Sequence, residues 1–523
     1  MINTPVFLIL GGSFILGSLF FLNHYASESI AKTLSIFLSF LAILAVVYSP
    51  AITGHYIFHD DVHLLWRTGY AHRQLLLGRP LGGLVNFWAN SQVSSINSTN
   101  FLRFFTIILI SLIALAIDIW LNRVCGFLQK ASFLASLAIV TLPPFQIYVN
   151  WVVAGNMPVA ILLSIYSAML LLKRERNKRF FLNPSFFFSL FLLLCSLMTY
   201  QAGATFFIAL LAIWLIRVDC RGVNKIEWPR VHLVIYFIAT LIYFFLFKIL
   251  VPANALKMGI RDTYSNAVTS DYMGKLSWFF REPVLAALNL WHVFPSRAVA
   301  GGVLFIILLG VVIEFYCLMK SEENNRGVRT RNLLLKYFII LFLIILSFGV
   351  NLVARTNIFL YRTIESLITI VFILFCIGLE RVIGVFLNQK KYEVCVTIVL
   401  LFVCAYGMFS AHMTFKRYCV DNNSRELSYV ENEIARKYNS SIKEIYVIRP
   451  SRLPSVYVKI ADEFAVTTCF YWFDIPDFIR VAAKEKGIFL PRIIISSGMS
   501  RSYLPQDQRL LRIDLNRDNE SLD

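Results

Sequence analysis

Charge is scarce in this chain: Asp, Glu, Lys and Arg make up 15% of its 523 residues. So thin a polar complement cannot cover a soluble globular surface, and that class is excluded. Acidic residues are scarcer still, 31 against 49 basic ones, which leaves a net charge of +18. The excess does not indicate a nucleic-acid partner, because the basic residues lie in short connectors between apolar runs. Lys173, Arg174, Arg176, Lys178 and Arg179 are one example. Such connectors carry the positive-inside signature of a multi-span membrane protein and also suit anionic lipid.

Metal-binding cysteine spacing is missing as well. None of the nine cysteines forms a C-x-x-C pair, which removes the usual zinc frameworks. Cys195, Cys317, Cys376 and Cys404 fall in apolar runs and read as small hydrophobes. Cys419 and Cys469 lie in a polar C-terminal stretch, where a disulfide is an option if that stretch is extracytoplasmic. There is no internal repeat and no low-complexity tract. The first apolar run, 5–22, lacks a basic leader and a small-residue cleavage site, so a retained span is expected.

What the chain does have is apolar length. It is 58% hydrophobic and 15% aromatic, with a mean hydropathy of +0.67. Apolar runs fall near 5–22, 30–49, 102–121, 132–149, 157–172, 180–198, 202–216, 231–250, 299–318, 332–352, 363–380 and 393–412. The expectation is an α-helical polytopic membrane protein of about twelve spans. Basic connectors at 173–179, 217–230, 320–331 and 390–391 then share one face, the cytoplasmic one. Loops 51–101, 251–298 and 353–362 and everything after residue 413 go to the other. Residues 1–413 form the membrane domain on this division, and 414–523 a small extracytoplasmic α/β domain. Its expected elements are helices at Ser424–Tyr438 and Pro476–Lys486, with strands at Glu444–Ile448, Arg492–Ser496 and Leu510–Leu515.

The chemistry is concentrated in the polar loops. Asp60 and Asp61 follow two apolar runs, among His55, His59, His63, Trp66 and Arg67. Charge beside a bilayer is costly and marks a site. Adjacent carboxylates on a strand would face opposite ways; at a helix start one can act while the other caps or orients. The plainer alternative is that both only cap a helix over Val62–Leu77. Gly78, Arg79, Pro80 and Leu81 form a turn, followed by Gly82, Gly83, Asn86 and Trp88. Arg79 suits an anion, and Asn86, Trp66 and Trp88 suit sugar hydroxyls and faces, although an interfacial anchor helix would look the same.

Loop 251–298 is basic against the positive-inside trend, with Lys257, Arg261, Lys275 and Arg281, which suits an anionic headgroup or snorkelling side chains. Arg355, Tyr361, Arg362 and Glu365 stand at the mouth of a late span. Arg362 either locks to Glu365 three residues on or turns inward to hold a phosphate. Tyr200-Gln201 is a polar dipeptide at a tip on the same side.

Asp60-Asp61 through Arg67, with Gly78-Arg79-Pro80-Leu81, resembles the first-loop pattern of bacterial Gtr-type, serotype-converting O-antigen glucosyltransferases, a family with a GT-C-like membrane fold. Tyr200-Gln201, Arg362 and the tail segments Glu463-Phe464, Tyr471-Trp472 and Ile479–Gly487 are similar to that family too. The pattern departs at His63-Leu64, where an arginine is expected. The resemblance implies an undecaprenyl-phosphate-linked sugar donor and a lipid-linked O-antigen acceptor. It also implies transfer on the periplasmic face of the inner membrane, with a donor synthase and a flippase upstream.

The residues suit that chemistry on their own terms. One carboxylate, Asp60 or Asp61, can deprotonate the acceptor hydroxyl. Arg79, Arg261, Arg355 and Arg362 can meet the charge that develops on a leaving lipid phosphate. One base and no protein nucleophile would invert the anomeric centre. Trp66, Asn86, Trp88, Tyr200 and Gln201 are the candidate sugar and acceptor contacts. No cofactor is expected, and no metal-ligand set beyond the acidic pair stands out. An O-antigen polymerase or acyltransferase would share substrates and compartment. A lipid-linked glycan transporter or flippase would share the spans but not the outer domain.

Overall fold

The computed structural model describes residues 4–26, 28–66, 74–75, 77–172, 183–217, 227–250, 269–320, 326–355, 357, 359–439, 441–448, 462–465, 467–470, 474–490, 494–498 and 510–515. Its main helices, in chain order, are α1 (Thr4–Ala26), α2 (Ile30–Val47), α3 (Asp61–Trp66), α4 (Pro80–Asn90), α5 (Ile96–Ile119), α6 (Gln129–Ile139), α7 (Pro143–Asn150), α8 (Asn156–Leu170) and α9 (Pro184–Thr199). They continue as α10 (Phe206–Arg217), α11 (Glu227–Leu250), α12 (Arg297–Lys320), α13 (Arg326–Leu346), α14 (Glu365–Phe386), α15 (Gln389–Thr414), α16 (Asn422–Lys437) and α17 (Ile475–Glu485).

The protein is a multi-pass helical membrane protein, but not one of twelve spans. Among the described residues eight helices are long and apolar enough to cross a bilayer, or nine if a bent pair counts as one. Each shortfall has a local cause. The run at 132–149 is broken at Pro143-Pro144, which start a new helix bent by 58° from α6, as prolines at a first turn do. Helices α9 and α10 are 16 and 12 residues long, too short to cross alone. In α13 the basic residues Arg326, Arg329, Arg331 and Lys336 break the apolar stretch.

Close contacts and intramembrane charge pairs fix the bundle. Gly310 of α12 faces Gly378 of α14 so closely that a Cβ on Gly310 would lie 2.6 Å from the Gly378 Cα. Small residues let helix backbones approach in this way. Glu314 of α12 pairs with Lys336 at 2.9 Å and with Arg381 at 2.6 Å, and Glu380 pairs with Arg217 at 2.7 Å. Charges within apolar helices persist because they find partners.

The last span does not end at the polar stretch. Helix α15 runs through a π-helical turn, Phe415–Asp421, directly into α16. Beyond it lie strands β1 (Glu444–Ile448), β2 (Ile494–Gly498) and β3 (Leu510–Asp514), in a parallel sheet ordered β2-β1-β3. Parallel pairing requires a crossover, and α17 supplies it between β1 and β2. The core of this small domain combines Leu427, Val430, Ile445, Phe478 and Ile513 with Ile57, Val62 and Ile96 from the first loop. That loop and the tail therefore lie on the same side of the membrane. Cys419 and Cys469 are each buried as free thiols.

Candidate functional site

The loop after α2 packs inward through Tyr56, Ile57 and Phe58 and reaches His59 at a φ of +44°. A left-handed backbone at a non-glycine residue is strained and is kept only where its surroundings impose it. Here the imposition comes from the tail: the His59 N–H donates to Thr468 Oγ1 at 3.1 Å. Thr468 Oγ1 in turn donates to the Ile57 carbonyl at 3.2 Å. The kink aims the next two carboxylates in different directions.

Asp61 opens α3 and is wholly buried. Its Oδ1 accepts from the Val153 N–H at 3.2 Å, and its Oδ2 lies 3.5 Å from the Arg103 guanidinium, also wholly buried. Arg103 is held in turn by the Asn150 and Tyr56 carbonyls and by Asn100 Oδ1, at 3.2, 3.3 and 3.0 Å, and stacks on the Tyr56 ring. Burial pushes the Asp61 carboxyl up to about 7, against the pull of Arg103 and the Val153 and Val152 N–H groups. Asp60 is the half-buried member of the pair and the one that solvent or substrate can reach.

One turn on, His63 is clamped by the tail. Its Nε2 is 2.9 Å from Asp474 and its Nδ1 is 3.0 Å from Asp477, both carboxylates being wholly buried. Burial disfavours the imidazolium, but the two carboxylates outweigh it and push the pKa up to about 9. One oxygen of Asp60, one nitrogen of His63 and one oxygen of Asp474 lie within 4.8 Å of one another, a set that could hold a metal ion. The sequence hides this set, because His63 and the Asp474–Asp477 turn are some four hundred residues apart.

The phosphate candidates divide. Arg79 donates from Nε to Gln201 Oε1 at 2.7 Å and lies over the Tyr200 ring at 4.6 Å. Gln201 Nε2 donates to the Leu77 carbonyl at 3.2 Å and to the Tyr243 hydroxyl at 2.6 Å. Three candidates from two separate segments thus form one cluster. Arg362 does not lock to Glu365. It pairs instead with Glu463 of the tail at 2.5 Å and stacks over Trp151 at 4.3 Å. Phe464 packs on Tyr361 with centroids 5.5 Å apart, so Glu463-Phe464 of the tail meets Tyr361-Arg362 as a unit. Arg355 is exposed and pairs with none of the described residues. Arg67, Arg261 and Tyr471-Trp472 lie outside the described residues.

Trp151 and Val153 join the two halves. The Trp151 ring lies 5.7 Å from that of His59 and under Arg362, while the Val153 N–H holds Asp61. The Tyr200 hydroxyl is within electrostatic range of Arg362, Arg79, Glu365 and Glu463. Of the candidate sugar contacts, Asn86 is buried on α4, with its Nδ2 unpartnered. Trp66 faces Arg480 of α17 at 5.8 Å, and Trp88 packs over Gly11 of α1. Trp66 therefore lies at the joint with the tail, and Trp88 on the membrane bundle.

Sequence reasoning missed Arg103 and Trp151. Arg103 had a usable signal, a lone charge at the head of an apolar span. Trp151 had none. No protein-family model matches this chain, and no curated protein matches it significantly.

Proposed function

We propose that this protein is a membrane glycosyltransferase that moves a hexosyl group, glucosyl by its family resemblance, from a polyprenyl-phosphate donor to a lipid-linked O-antigen. The site would face the periplasmic side of a bacterial inner membrane. One observation carries this reading: the short segment 151–153 touches both groups, with Arg362 over the Trp151 ring and the Val153 N–H on Asp61 of the acidic pair. An acidic pair and a cation brought to one short segment suit a transfer in which a proton goes to one and a leaving phosphate to the other.

In that transfer the acceptor hydroxyl attacks the anomeric carbon and gives its proton to Asp60. The carbon–oxygen bond to the phosphate breaks, and the electron pair goes with the polyprenyl phosphate. Arg362, with Arg79 behind it, stabilises the charge as it forms. Asp61 keeps the loop in place through Arg103. The GT-C-like fold and the inverting outcome belong to the same proposal.

The test is transfer of labelled glucose from a polyprenyl phosphoglucose to O-antigen in membranes with and without the protein. Side-branch glucosylation that depends on Asp60 supports the reading. A change in O-antigen chain length with no added sugar would identify a polymerase instead, and an added acyl group an acyltransferase.

A further inference from the structure

Glu365 opens α14 three residues after Arg362 and has no solvent exposure. Neither carboxyl oxygen has a hydrogen-bond partner of good geometry, although the Tyr148 hydroxyl lies beside the group. The neighbouring Tyr148 hydroxyl donates to the Arg362 carbonyl at 3.1 Å. The Thr369 hydroxyl bonds to the Glu365 backbone carbonyl and leaves the carboxylate alone. A buried carboxyl with no well-formed hydrogen bond is among the least comfortable groups a fold can hold, and its persistence calls for a ligand, a water or a function. At a membrane boundary the functional explanation has the most weight.

The surroundings specify the ligand's chemistry. Arg79 lies over the Tyr200 ring, and the Tyr200 hydroxyl is within electrostatic range of Arg79, Arg362 and Glu365. Further unpartnered polar atoms are buried in the helices that meet here. Asn156 Oδ1 is one; its amide borders Gly82, where an added Cβ would come within 2.7 Å of Asn156 Nδ2 and 2.4 Å of the Thr199 carbonyl. The indole Nε1 of Trp151, the ring under Arg362, is another. Acceptors (Glu365, Asn156) and a donor (Trp151) beside two arginines fit one kind of molecule. It carries hydroxyls, which donate and accept, and an anionic group next to them.

We propose that Glu365 accepts hydrogen bonds from the ring hydroxyls of a sugar whose phosphate is held by Arg79 and Arg362. The site would thereby distinguish a glycosyl phospholipid from the bare lipid phosphate. This rests on the glycosyltransferase reading and deepens it. A sugar that satisfies Glu365 removes the penalty of its isolation, which favours the loaded donor. Once the sugar has been transferred, the remaining lipid phosphate carries no hydroxyls for Glu365 and its release is favoured.

The test uses the full chain in nanodiscs, free of glycoside detergents that would compete for the site. Affinities are measured for a short polyprenyl phosphate and for the same lipid carrying a phosphohexose. The wild type should prefer the phosphohexose by about tenfold or more, the worth of a charge-assisted hydrogen bond. Glu365→Gln should bring the two affinities within about threefold of each other while leaving the bare phosphate affinity unchanged. Glu365→Asp, which keeps the charge and withdraws it by one methylene, should fall between the two.

A Glu365→Gln protein that keeps the full preference overturns the inference, as does one that loses both ligands equally. A wild type that binds both lipids equally overturns it while leaving the phosphate site standing. A wild type that binds neither overturns the functional reading along with it.

Discussion

Replacing His63 by glutamine should unfasten the C-terminal domain from the acidic loop. Both nitrogens of the buried imidazole face carboxylates with no solvent exposure, at 2.9 and 3.0 Å. Burial alone would lower the His63 pKa; Asp474 and Asp477 outweigh it and push the value from 6.5 up to about 9. A rise of that order corresponds to roughly 3 kcal/mol of docking stability. The sign follows from the direction. The contribution is complete below about pH 6.5, where the free imidazole is protonated too, and is lost as the pH climbs through about 9. His63→Gln removes the cation at every pH and leaves two buried carboxylates facing an amide, for a loss of about 3–5 kcal/mol. Hydrogen exchange of the α17 amides in the full-length protein, corrected for intrinsic rates, reads this directly. Wild-type protection should fall by about a hundredfold from pH 6.5 to pH 9, and the variant should be unprotected at both. Adding Asp474→Asn and Asp477→Asn to the variant should restore most of the protection. A singly substituted protein as protected as the wild type, or a triple variant no better than the single one, would refute a charge-based clamp.

Other outcomes follow from the same geometry. Asp60→Asn should lower sugar transfer by about two to four orders of magnitude with insertion unchanged, measured with labelled donor in membranes. Arg103→Met strips Asp61 of its buried partner and should destabilise the loop by about 3–5 kcal/mol, seen as a lower melting temperature and as proteolysis within 51–66. Arg362→Lys keeps the charge but loses the planar two-point contact, so kcat should fall even at saturating donor. Exchanging the charges of Arg362 and Glu463 should preserve the melting temperature without restoring transfer; restored transfer would make the pair purely structural. Cysteines placed at Gln92 and Lys486 should react with a membrane-impermeant maleimide from the same side, and labelling from opposite sides would sink the site's assembly.

Much of this was legible in the sequence, and the parts that were not share a cause. Periodicity located the helices because a bilayer imposes length and apolarity on contiguous residues. It overcounted spans where contiguity misleads, as at Pro143-Pro144, which split one apolar run into two bent helices. Arg79, Tyr200 and Gln201 could each be singled out because each is polar between apolar runs, but that they would meet could not be foreseen. The partner of Arg362 could not be assigned by spacing. Glu365 is three residues away and Glu463 about a hundred, yet the distant one makes the bond. The same holds for Asp474 and Asp477, which look like ordinary acidic residues near the start of a short helix. Helical spacing shows which residues share a face, and gives no hint of what a separate domain will press against it.

The clamp on His63 also sets an order for biogenesis. Asp61 finds Arg103 within the first spans, so the acidic loop can settle while most of the protein is still being made. His63 must wait for Asp477, 414 residues further along the chain. At about 5–20 residues per second that is a delay of roughly 20–80 s. During it the strained backbone at His59 has no Thr468 to hold it. A chain truncated before α17 would keep its acidic pair and its arginines, yet lack the Asp477 carboxylate that holds His63. The docking of α17 on the first loop therefore comes late in synthesis, and any step that needs the clamped loop comes later still.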